Sequence, residues 1–452
     1  MLDSEQFCYH PYIPSKEREK VNLAIVGAQW GDEGKGKIVD LLSTGFAIVA
    51  RSQGGHNAGH TVFVRNRKFV LHLIPSGILH PDVSCVIGNG VVVDPQALFS
   101  EIEELNKQGI ETAGRLFISE KAHVILPYHR ELELLAEARL GKRQIGTTSR
   151  GIGPSYEDKI GRRGIRIGDL ADSSSDGLLA QAVRDNVSMR NRLVSGSSVD
   201  WKQLHSDLCA AWPQLLPLVT DTSLYLHNAS SEGRQILFEG AQGAMLDIDH
   251  GTYPFVSSSN STIGGVCTGL GVSPKMIDGV LGVAKAYTTR VGEGPLPTEL
   301  IGREGDELRE IGKEYGASTG RPRRCGWYDS VSARYAVRIN GFNELALTKL
   351  DVLDELEEVK ICTAYRIGGR KVSEFSADAS FLGTCTPEYE SLPGWHRPTA
   401  GTREFEDLPR EAKNYIRRIE ELSNVPVAIV STGSDREDTI VRKQSFVENW
   451  LT

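Results

Sequence analysis

Three residues of a glycine-rich loop have the spacing of a phosphate-binding site. Gly31, Gly36 and Lys37 match the pattern G-x-x-x-x-G-K, and the loop lies between the apolar run Leu23–Gly27 and a helix-like segment that reaches Leu42. Glycines allow several backbone N–H groups to converge on a phosphate, and the N-terminus of a helix adds positive potential. The loop is therefore predicted to bind phosphate, with an ordinary glycine-rich turn as the alternative.

The same loop departs from the usual phosphate-loop pattern at one position. Ile38 stands where Ser or Thr would offer a hydroxyl to magnesium. The metal then needs another oxygen, and the carboxylate of Asp32, inside the loop, is a hard ligand of the right type. This carboxylate could also accept a proton from a bound substrate, with capping of the helix as the alternative. The loop favours a catalyst that works at the phosphate site over a simple nucleotide switch.

A second group of polar residues ends a predicted strand at 345–350. Thr348, Lys349 and Asp351 have the pattern Thr-Lys-x-Asp. An Asp there can accept hydrogen bonds from N1–H and the 2-amino group of guanine while the Lys stem packs over the base, which favours GTP over ATP. A solvated charge pair is the alternative. The loop 431–433 follows another predicted strand and resembles the backbone clip beside guanine in GTPases.

Alternating strands and helices must position these residues. Apolar runs of strand length alternate with helix-like periodic stretches, which predicts an α/β fold with a large, mostly parallel central β-sheet flanked by helices, P-loop NTPase-like, with loop and helical insertions. A hairpin is predicted around Asn66 and Arg67, and the polar region 172–200 is predicted to be loop between helices. The predicted strands lie at 23–27, 46–50, 86–93, 279–284, 345–350 and 425–431, and the helices at 96–107, 128–140 and 410–422.

Composition and charge exclude several classes of protein. The 452 residues include 51 Lys and Arg against 59 Asp and Glu, and the net charge of −8 argues against a general nucleic-acid or membrane-surface binder. The longest uncharged stretch, Tyr253–Pro274, is too polar to span a membrane. Seven scattered cysteines without a Cys-x-x-Cys pair predict neither a disulfide framework nor a zinc site, and a cytoplasmic location fits best. Residues 1–20 are predicted to be a loose extension before a single domain at 21–452.

Six longer motifs carry a specific resemblance. They are Gln29–Lys37, Gln53–Thr61, Gly146–Pro154, Glu239–Gly243, Gly316–Arg321 and Thr348–Asp351. In this order, and from about residue 21 to the C-terminus, the chain resembles the adenylosuccinate synthetase family. The resemblance implies GTP-dependent ligation of IMP and L-aspartate to adenylosuccinate, with release of GDP and phosphate, through a 6-phosphoryl-IMP intermediate. This is the first committed step of AMP synthesis from IMP.

The resemblance also implies roles for particular residues. Asp32 would remove the N1 proton of IMP and, with the carbonyl of Gly59, ligate one Mg²⁺ per subunit. His60 would act as general acid, and Lys35 would offset charge on the phosphoryl group in flight. Arg162 corresponds to an arginine that reaches the IMP phosphate of a neighbouring subunit, which implies a homodimer.

Three sets of binding residues follow from the same resemblance. Val291 is expected to help close the site. The expected GTP-binding residues are Gly31, Asp32, Glu33, Gly34, Lys35, Gly36, Lys37, Gly59, His60, Thr61, Arg323, Lys349, Leu350, Asp351, Ser431, Thr432 and Gly433. The expected IMP-binding residues are Asp32, Glu33, Gly34, Lys35, Asn57, Ala58, Gly59, His60, Thr148, Arg162, Gln242, Ser257 and Arg321. The expected aspartate-binding residues are Ala317, Ser318, Thr319, Gly320, Arg321, Pro322 and Arg323.

Two positions depart from the family pattern. Ser257 stands where Thr is common, so the hydroxyl remains and a methyl contact is lost. Pro322 replaces a frequent basic residue and is expected to stiffen its loop. Two other functions compete with the ligase. A GTP-binding switch would explain the phosphate loop but not the cluster 57–60, and a P-loop kinase would not explain the guanine pattern.

Overall fold

The predicted strands come together in one central sheet. The computed structural model describes residues 21–64, 67–141, 144–193, 199–316 and 320–450. The predicted extension at 1–20 and the expected aspartate-binding residues Ala317, Ser318 and Thr319 therefore lie outside the described residues.

The strands are short and mostly apolar. In chain order they are β1 (Leu23–Gly27), β2 (Ile48–Arg51), β3 (His60–Val64), β4 (Arg67–Leu71), β5 (Ser84–Ile87), β6 (Val92–Val93), β7 (Leu116–Ser119), β8 (His123–Val124), β9 (Val219–Thr220), β10 (Ile236–Glu239), β11 (Gly279–Lys285), β12 (Thr288–Arg290), β13 (Arg324–Gly326), β14 (Tyr328–Asp329), β15 (Glu344–Thr348), β16 (Glu358–Ile367), β17 (Arg370–Val372), β18 (Thr386–Pro393), β19 (Val427–Ser431) and β20 (Thr439–Val441).

The α-helices connect these strands. They are α1 (Lys35–Ser43), α2 (Pro95–Lys107), α3 (Pro127–Leu140), α4 (Ile152–Ile160), α5 (Leu178–Asn191), α6 (Trp201–Leu215), α7 (Thr222–Ser231), α8 (Ile263–Leu270), α9 (Arg303–Gly312), α10 (Ser330–Asn340), α11 (Ala379–Leu382) and α12 (Arg410–Ser423).

Ten strands form the central sheet in the order β20-β19-β15-β11-β1-β10-β2-β5-β7-β9. Every neighbouring pair is parallel except β19 and β20. Along β1, Ala24 and Val26 belong to one hydrophobic cluster while Leu23 and Ile25 belong to another. Side chains alternate between the faces of a strand, so both faces of the sheet are covered, as expected for parallel strands. The predicted α/β class with a mostly parallel sheet is confirmed.

Most predicted elements are observed, with small shifts at their ends. The predicted helices correspond to α2, α3 and α12, and the predicted hairpin corresponds to the antiparallel pair of β3 and β4. The apolar run 86–93 is interrupted at Gly88–Gly90, which separates β5 from β6. A Cβ at Gly90 would lie 2.1 Å from the Ser52 carbonyl oxygen, so the backbone of this connection packs against its neighbour too closely for a side chain.

The prediction for 172–200 was wrong in its centre. Helix α5 occupies Leu178–Asn191, and its residues Leu179, Val183 and Val187 are buried. These positions recur every fourth residue and form one apolar stripe. The exposed polar residues between them, Gln181, Arg184 and Asp185, made the pattern resemble that of a loop. Helix α5 packs on α6 along the protein surface. Among the described residues, no helix has the length and hydropathy that a membrane crossing requires.

Candidate active site

Six adjacent parallel strands of the sheet end in polar residues or in the phosphate loop. In sheet order these are β19, β15, β11, β1, β10 and β2. Ligands of open α/β sheets bind beyond the carboxyl ends of the strands. The strand ends are Ser431, Thr348, Lys285, Gly27, Glu239 and Arg51. These residues therefore lie at the carboxyl ends of the strands, where a ligand is expected.

The phosphate loop is held in shape by a carboxylate from inside. The side chain of Glu33 is fully buried, and its Oε1 accepts hydrogen bonds from the backbone N–H groups of Gln29 at 3.1 Å and Gly31 at 2.9 Å. Gly34 precedes α1 with a φ of 88°, a left-handed conformation that glycine adopts without strain. Because the Glu33 side chain points inwards, its backbone is the part that can face a ligand.

The guanine pattern contacts the phosphate loop directly. The Thr348 hydroxyl donates to the carbonyl of Glu33 at 2.5 Å. Lys349 adopts a positive φ of 60°, and its Nζ donates to the carbonyl of Gly312 at 2.5 Å. Leu350 is buried, and burial raises the pKa of Asp351, which is the largest effect on that carboxyl group. The two predicted nucleotide motifs thus form one continuous structure.

Lys37 connects the phosphate loop to the segment after β19. Its Nζ donates to Ser431 Oγ at 2.7 Å and to the carbonyls of Gly433 and Asp438, both at 2.8 Å. Burial lowers the pKa of Lys37 to about 8, although Asp438 and two other carboxylates act in the opposite direction. Thr432 is buried beside these residues. The lysine of the G-x-x-x-x-G-K pattern and the predicted guanine clip are therefore neighbours.

Each predicted catalytic residue contacts a group of opposite charge. Asp32, with a φ of 58°, is about a third exposed, and its Oδ2 accepts from Arg323 Nε at 2.7 Å. Lys35 Nζ lies 2.5 Å from the buried Glu33 Oε2. These contacts place a predicted substrate-binding arginine directly on the predicted base.

His60 is the third predicted catalytic residue, and it is buried against Glu239. Its Nδ1 lies 2.5 Å from Glu239 Oε1. Burial acts to raise the pKa of Glu239, but His60, Arg51 and the N–H of Ser76 outweigh it, so the pKa is lowered and the carboxylate is ionised. The carboxylate accepts from Nδ1 and leaves Nε2 as the ring nitrogen that can face a substrate. A Cβ at Gly36 would lie 2.8 Å from the His60 Cβ, so His60 packs on the first turn of α1.

The loop that carries Asn57, Ala58 and Gly59 is supported by a buried arginine. Arg51 donates to the carbonyls of Gln53 at 3.3 Å, Gly55 at 3.0 Å and His72. Asn57 Oδ1 accepts from the N–H of Gly55 at 3.2 Å. The network fixes the backbone of the predicted IMP loop.

Gln242 and Ser257 are two further residues that are predicted to bind IMP, and both lie on loops. Gln242 has a positive φ of 53°, and its Oε1 accepts from Gln53 Nε2 at 3.1 Å. Ser257 Oγ lies 3.2 Å from Ser259 Oγ, so the hydroxyl that replaces the common threonine is present and has a partner. The Gln242 loop therefore contacts the loop 53–60 through Gln53.

The loops of Thr148, Val291 and the expected aspartate-binding segment also meet. Arg321 donates from Nη1 to the carbonyl of Gly146 at 2.7 Å. A Cβ at Gly146 would lie 3.2 Å from the Gly292 Cα. Thr148 is half-buried, Pro322 is exposed, and Gly320 is exposed with a φ of 65°. The described part of the aspartate-binding segment thus borders the IMP-binding loops.

Arg162 is the one predicted IMP residue that this arrangement leaves apart. It follows α4 with a φ of 60°, its side chain is exposed, and in the described part of the chain this side chain has no hydrogen bond or ion pair. Its neighbour Arg163 pairs with the buried Asp158 at 3.2 Å. Ile160 is 78% exposed at the same place. The segment presents a cation and an apolar side chain to its surroundings.

The donors predicted for magnesium are hard oxygens. Within the described ranges, no three His, Cys, Asp or Glu side chains form a metal-binding cluster. The predicted set needs only one carboxylate, because Mg²⁺ keeps water and substrate phosphate oxygens among its ligands. The partly exposed Asp32 carboxylate and a backbone carbonyl at Gly59 fit that requirement.

Three residues of the site were not assigned a role from the sequence. Glu239 and Lys285 are charged last residues of otherwise apolar strands, and that position is a usable signal. Glu314 contacts Arg323 Nη1 at 2.6 Å and Lys285 Nζ at 2.8 Å, but it lies in a short polar connection without any pattern. Only the folded structure shows that Glu314 belongs to the site.

Comparisons with known proteins agree on one family. A family model described as adenylosuccinate synthetase matches residues 24–440. The adenylosuccinate synthetase of Solibacter usitatus is 53% identical over 431 residues, covering 95% of this chain and 99% of that protein. That of Geobacter sulfurreducens is 49% identical over 430 residues, covering 94% of this chain and 99% of that protein.

One solved structure supports the same family, and a second shows the same fold. The structure of fully ligated adenylosuccinate synthetase from Plasmodium falciparum has a TM-score of 0.89 and 39% identity, covering 93% of this chain and all of that one. Cyanophage S-2L succinoaminodeoxyadenylate synthetase, bound to dGMP and dATP as an energy donor, shares the fold with a TM-score of 0.61 and 19% identity, covering 95% of this chain and 98% of that one. The chain belongs to the adenylosuccinate synthetase family, the ligases that use GTP and Mg²⁺ to join IMP and L-aspartate in AMP biosynthesis.

Proposed function

We propose that Asp32, His60 and Lys35 carry the chemistry of this ligase in two steps. In the first step, the Asp32 carboxylate accepts the N1 proton of IMP, O6 attacks the γ-phosphorus of GTP, and the bond to the β-phosphate oxygen breaks to release GDP. In the second step, the aspartate amine attacks C6 of 6-phosphoryl-IMP, loses a proton and displaces phosphate. Lys35 offsets the charge on the phosphoryl group throughout.

The contact between His60 and the first turn of α1 is the observation that carries this proposal. It brings a histidine oriented by Glu239 to the helix that begins at Lys35 and follows the loop of Asp32. In that position His60 donates towards the γ-phosphoryl group and the O6 oxygen that is being activated. Mg²⁺, when bound, offsets phosphate charge, and we assign Asp32 and the Gly59 carbonyl as its protein ligands, with one ion per subunit.

The contact of Arg323 with Asp32 fits a role for this arginine in substrate binding. Asp32 forms an ion pair with Arg323, so the guanidinium occupies the carboxylate that is needed as the base. The γ-phosphate of GTP and the carboxylates of aspartate attract the guanidinium away from Asp32, which frees the base when the substrates are in place. Arg321 and Gly320 on the same segment complete the described part of the aspartate site.

The nucleotide sites follow from the contacts between the motifs. Guanine is proposed to lie against the Lys349 stem, with Asp351 accepting from N1–H and the 2-amino group and with the loop 431–433 beside it. The hydrogen bonds of Thr348 and Lys37 that join these segments to the phosphate loop support this arrangement. IMP is proposed to bind between the phosphate loop and the loops that carry Asn57, Thr148, Gln242, Ser257 and Arg321.

A homodimer completes the site in our proposal, with Arg162 reaching the IMP phosphate of the partner subunit. The exposed Arg162, its positive φ and the exposed Ile160 two residues before it support an interface at this segment.

Residues 21–452 are proposed to act as one domain, since both hydrophobic clusters contain residues of the central sheet. A cytoplasmic location is supported by the free thiols of the six described cysteines.

One mixing experiment tests the base and the shared site together. Asp32→Asn and Arg162→Leu are each expected to lower turnover by about 10²-fold or more, because the first removes the base and the second a phosphate ligand. Mixed in equal amounts and allowed to exchange subunits, the two variants are expected to recover about a quarter of wild-type activity, because each mixed dimer has one complete site.

The controls separate the two claims. Asp207→Asn, an exposed carboxylate on α6, should leave turnover unchanged. Near-normal turnover of folded Asp32→Asn would reject Asp32 as the base. Inactive single variants that remain inactive after exchange, with mixed dimers verified by mass, would reject the contribution of Arg162 across subunits.

A further inference from the structure

One buried carboxylate joins side chains from four parts of the site. Glu314, between α9 and the expected aspartate-binding segment, is fully buried. Its Oε2 accepts from Lys285 Nζ at 2.8 Å and from Arg323 Nη1 at 2.6 Å. Its Oε1 accepts from the Tyr287 hydroxyl at 2.5 Å and lies 3.3 Å from Lys349 Nζ. Both oxygens are therefore fully used.

The charges around Glu314 keep it ionised. Burial acts to raise its pKa, but Lys285, Lys349 and Arg323 outweigh burial, so the pKa of Glu314 is lowered. Lys285 is itself fully buried, and burial lowers its pKa to about 8. A carboxylate with three cationic neighbours in a buried place is costly to remove, since each cation would lose a partner.

Two of these cations are the ones expected to bind substrates. Lys349 belongs to the guanine pattern, and its ammonium group is held at Glu314 and the Gly312 carbonyl, which leaves its aliphatic stem for the base. Arg323 is expected to bind aspartate and GTP, and its Nε contacts Asp32. Different atoms of Arg323 thus contact Glu314 and Asp32, so the guanidinium can release the base while Nη1 remains on Glu314.

We propose that Glu314 is a positioning residue that holds Lys349 and Arg323 in one rigid arrangement. A single carboxylate then fixes the position of a guanine-binding side chain and of an aspartate-binding side chain. The proposal rests on the roles assigned above to these two side chains. The loops of Asn57 and Gln242, which are assigned to IMP, have no hydrogen bond to Glu314 among the described residues. Loss of the carboxylate therefore affects GTP and aspartate together and IMP least.

The first test is Glu314→Gln in the complete enzyme. We expect the KM values for GTP and aspartate each to rise by about tenfold, with the KM for IMP within about twofold of wild type. Glu307→Gln is the matched control, because Glu307 lies on the adjacent α9, is exposed and pairs only with Arg303 there. Unchanged KM values for GTP and aspartate in folded Glu314→Gln would overturn the proposal.

A second variant separates positioning from simple neutralisation of Lys285. In Glu314→Gln/Lys285→Met the unpaired buried ammonium of Lys285 is gone, so part of the thermal stability lost by the single variant should return. If Glu314 positions Arg323 and Lys349, the two KM values stay raised in the double variant. Their return to within about twofold of wild type would show that Glu314 serves only to neutralise Lys285.

The double variant decides the question even if the single variant does not fold. Glu314→Asp adds a graded test, because the shorter carboxylate keeps the charge but cannot reach both sides, and intermediate KM values are expected. Failure of this proposal is distinguishable from failure of the site assignment, since the mixing of Asp32→Asn with Arg162→Leu leaves Glu314 intact.

Discussion

Opposite charges accompany all three of the side chains assigned to the chemistry. Asp32 is paired with Arg323, Lys35 with Glu33 and His60 with Glu239. Such pairs hold the direction of each side chain, so the charged groups that act on the transition state are arranged in advance. Two of the partners, Glu33 and Glu239, are fully buried and cannot be exchanged for water. In the proposed mechanism, catalysis therefore depends on these internal carboxylates as much as on the residues that face the substrates.

Lys37 gives a pH dependence that belongs to this residue scale. Its pKa of about 8 is set chiefly by burial, so the ammonium group loses its proton above that pH and no longer attracts phosphate. We expect kcat/KM for GTP, measured with saturating IMP and aspartate, to fall as the pH rises through about 8.

The profile for a second substrate serves as the control. With saturating GTP the kcat/KM for IMP reports the enzyme after Lys37 has acquired its phosphate partner, which raises the pKa of the lysine, so this profile should remain level to higher pH. A GTP profile that is level from about pH 7 to 9.5 would contradict the role given to Lys37.

At the scale of elements, α1 is the part that links both nucleotide motifs. The phosphate loop leads into the first turn of α1, and this turn packs on His60. Further along the helix, Asp40 accepts from Arg436 Nε at 2.6 Å and Nη2 at 2.7 Å, and Arg436 lies in the connection after β19 that also carries the loop 431–433. A shift of α1 would therefore displace residues near the proposed γ-phosphate position and residues near the proposed guanine position.

Gly36→Ala tests the packing of α1 on His60. The added methyl would lie 2.8 Å from the His60 Cβ, so either the histidine or the helix start has to move. We expect kcat to fall by roughly 10²-fold, as is typical for misplacement of a catalytic group by about 1 Å, with only a small loss of thermal stability.

Gly264→Ala is the matched control for this substitution. Gly264 also lies near the start of a helix, α8, and a Cβ there meets no atom within 4 Å, so turnover and stability should be retained. If Gly36→Ala turned over at the wild-type rate, the contact between α1 and His60 would have no catalytic role.

At the scale of the whole molecule, the sequence predicts the architecture better than the assembly of the site. Long apolar runs such as Gly279–Lys285 are recognisable because a parallel strand is buried on both faces. Short elements such as β9, with two half-buried residues, have no pattern of their own and are defined by their neighbours. Helix α5 was missed because its apolar stripe is narrow and lies among polar residues.

The site itself divides in the same way. Glycine spacing and strand-end patterns indicate Gly31, Lys37 and Asp351 from local sequence, because phosphate and guanine recognition need fixed local geometry. Contacts between residues far apart in the chain, such as Arg323 with Asp32 or Glu314 with Lys349, depend on the order of strands in the sheet. No local pattern encodes that order, so these contacts become visible only in the folded chain.

The central proposal is that one site couples the cleavage of GTP to the joining of IMP and aspartate, and phosphate release tests it most directly. Phosphate should be released from GTP in the presence of Mg²⁺ only when IMP and aspartate are both supplied, in step with the formation of adenylosuccinate. Omission of either should abolish steady-state release, because the base Asp32 needs IMP as its proton donor and 6-phosphoryl-IMP needs the amine to turn over. Rapid phosphate release from GTP alone would contradict the account.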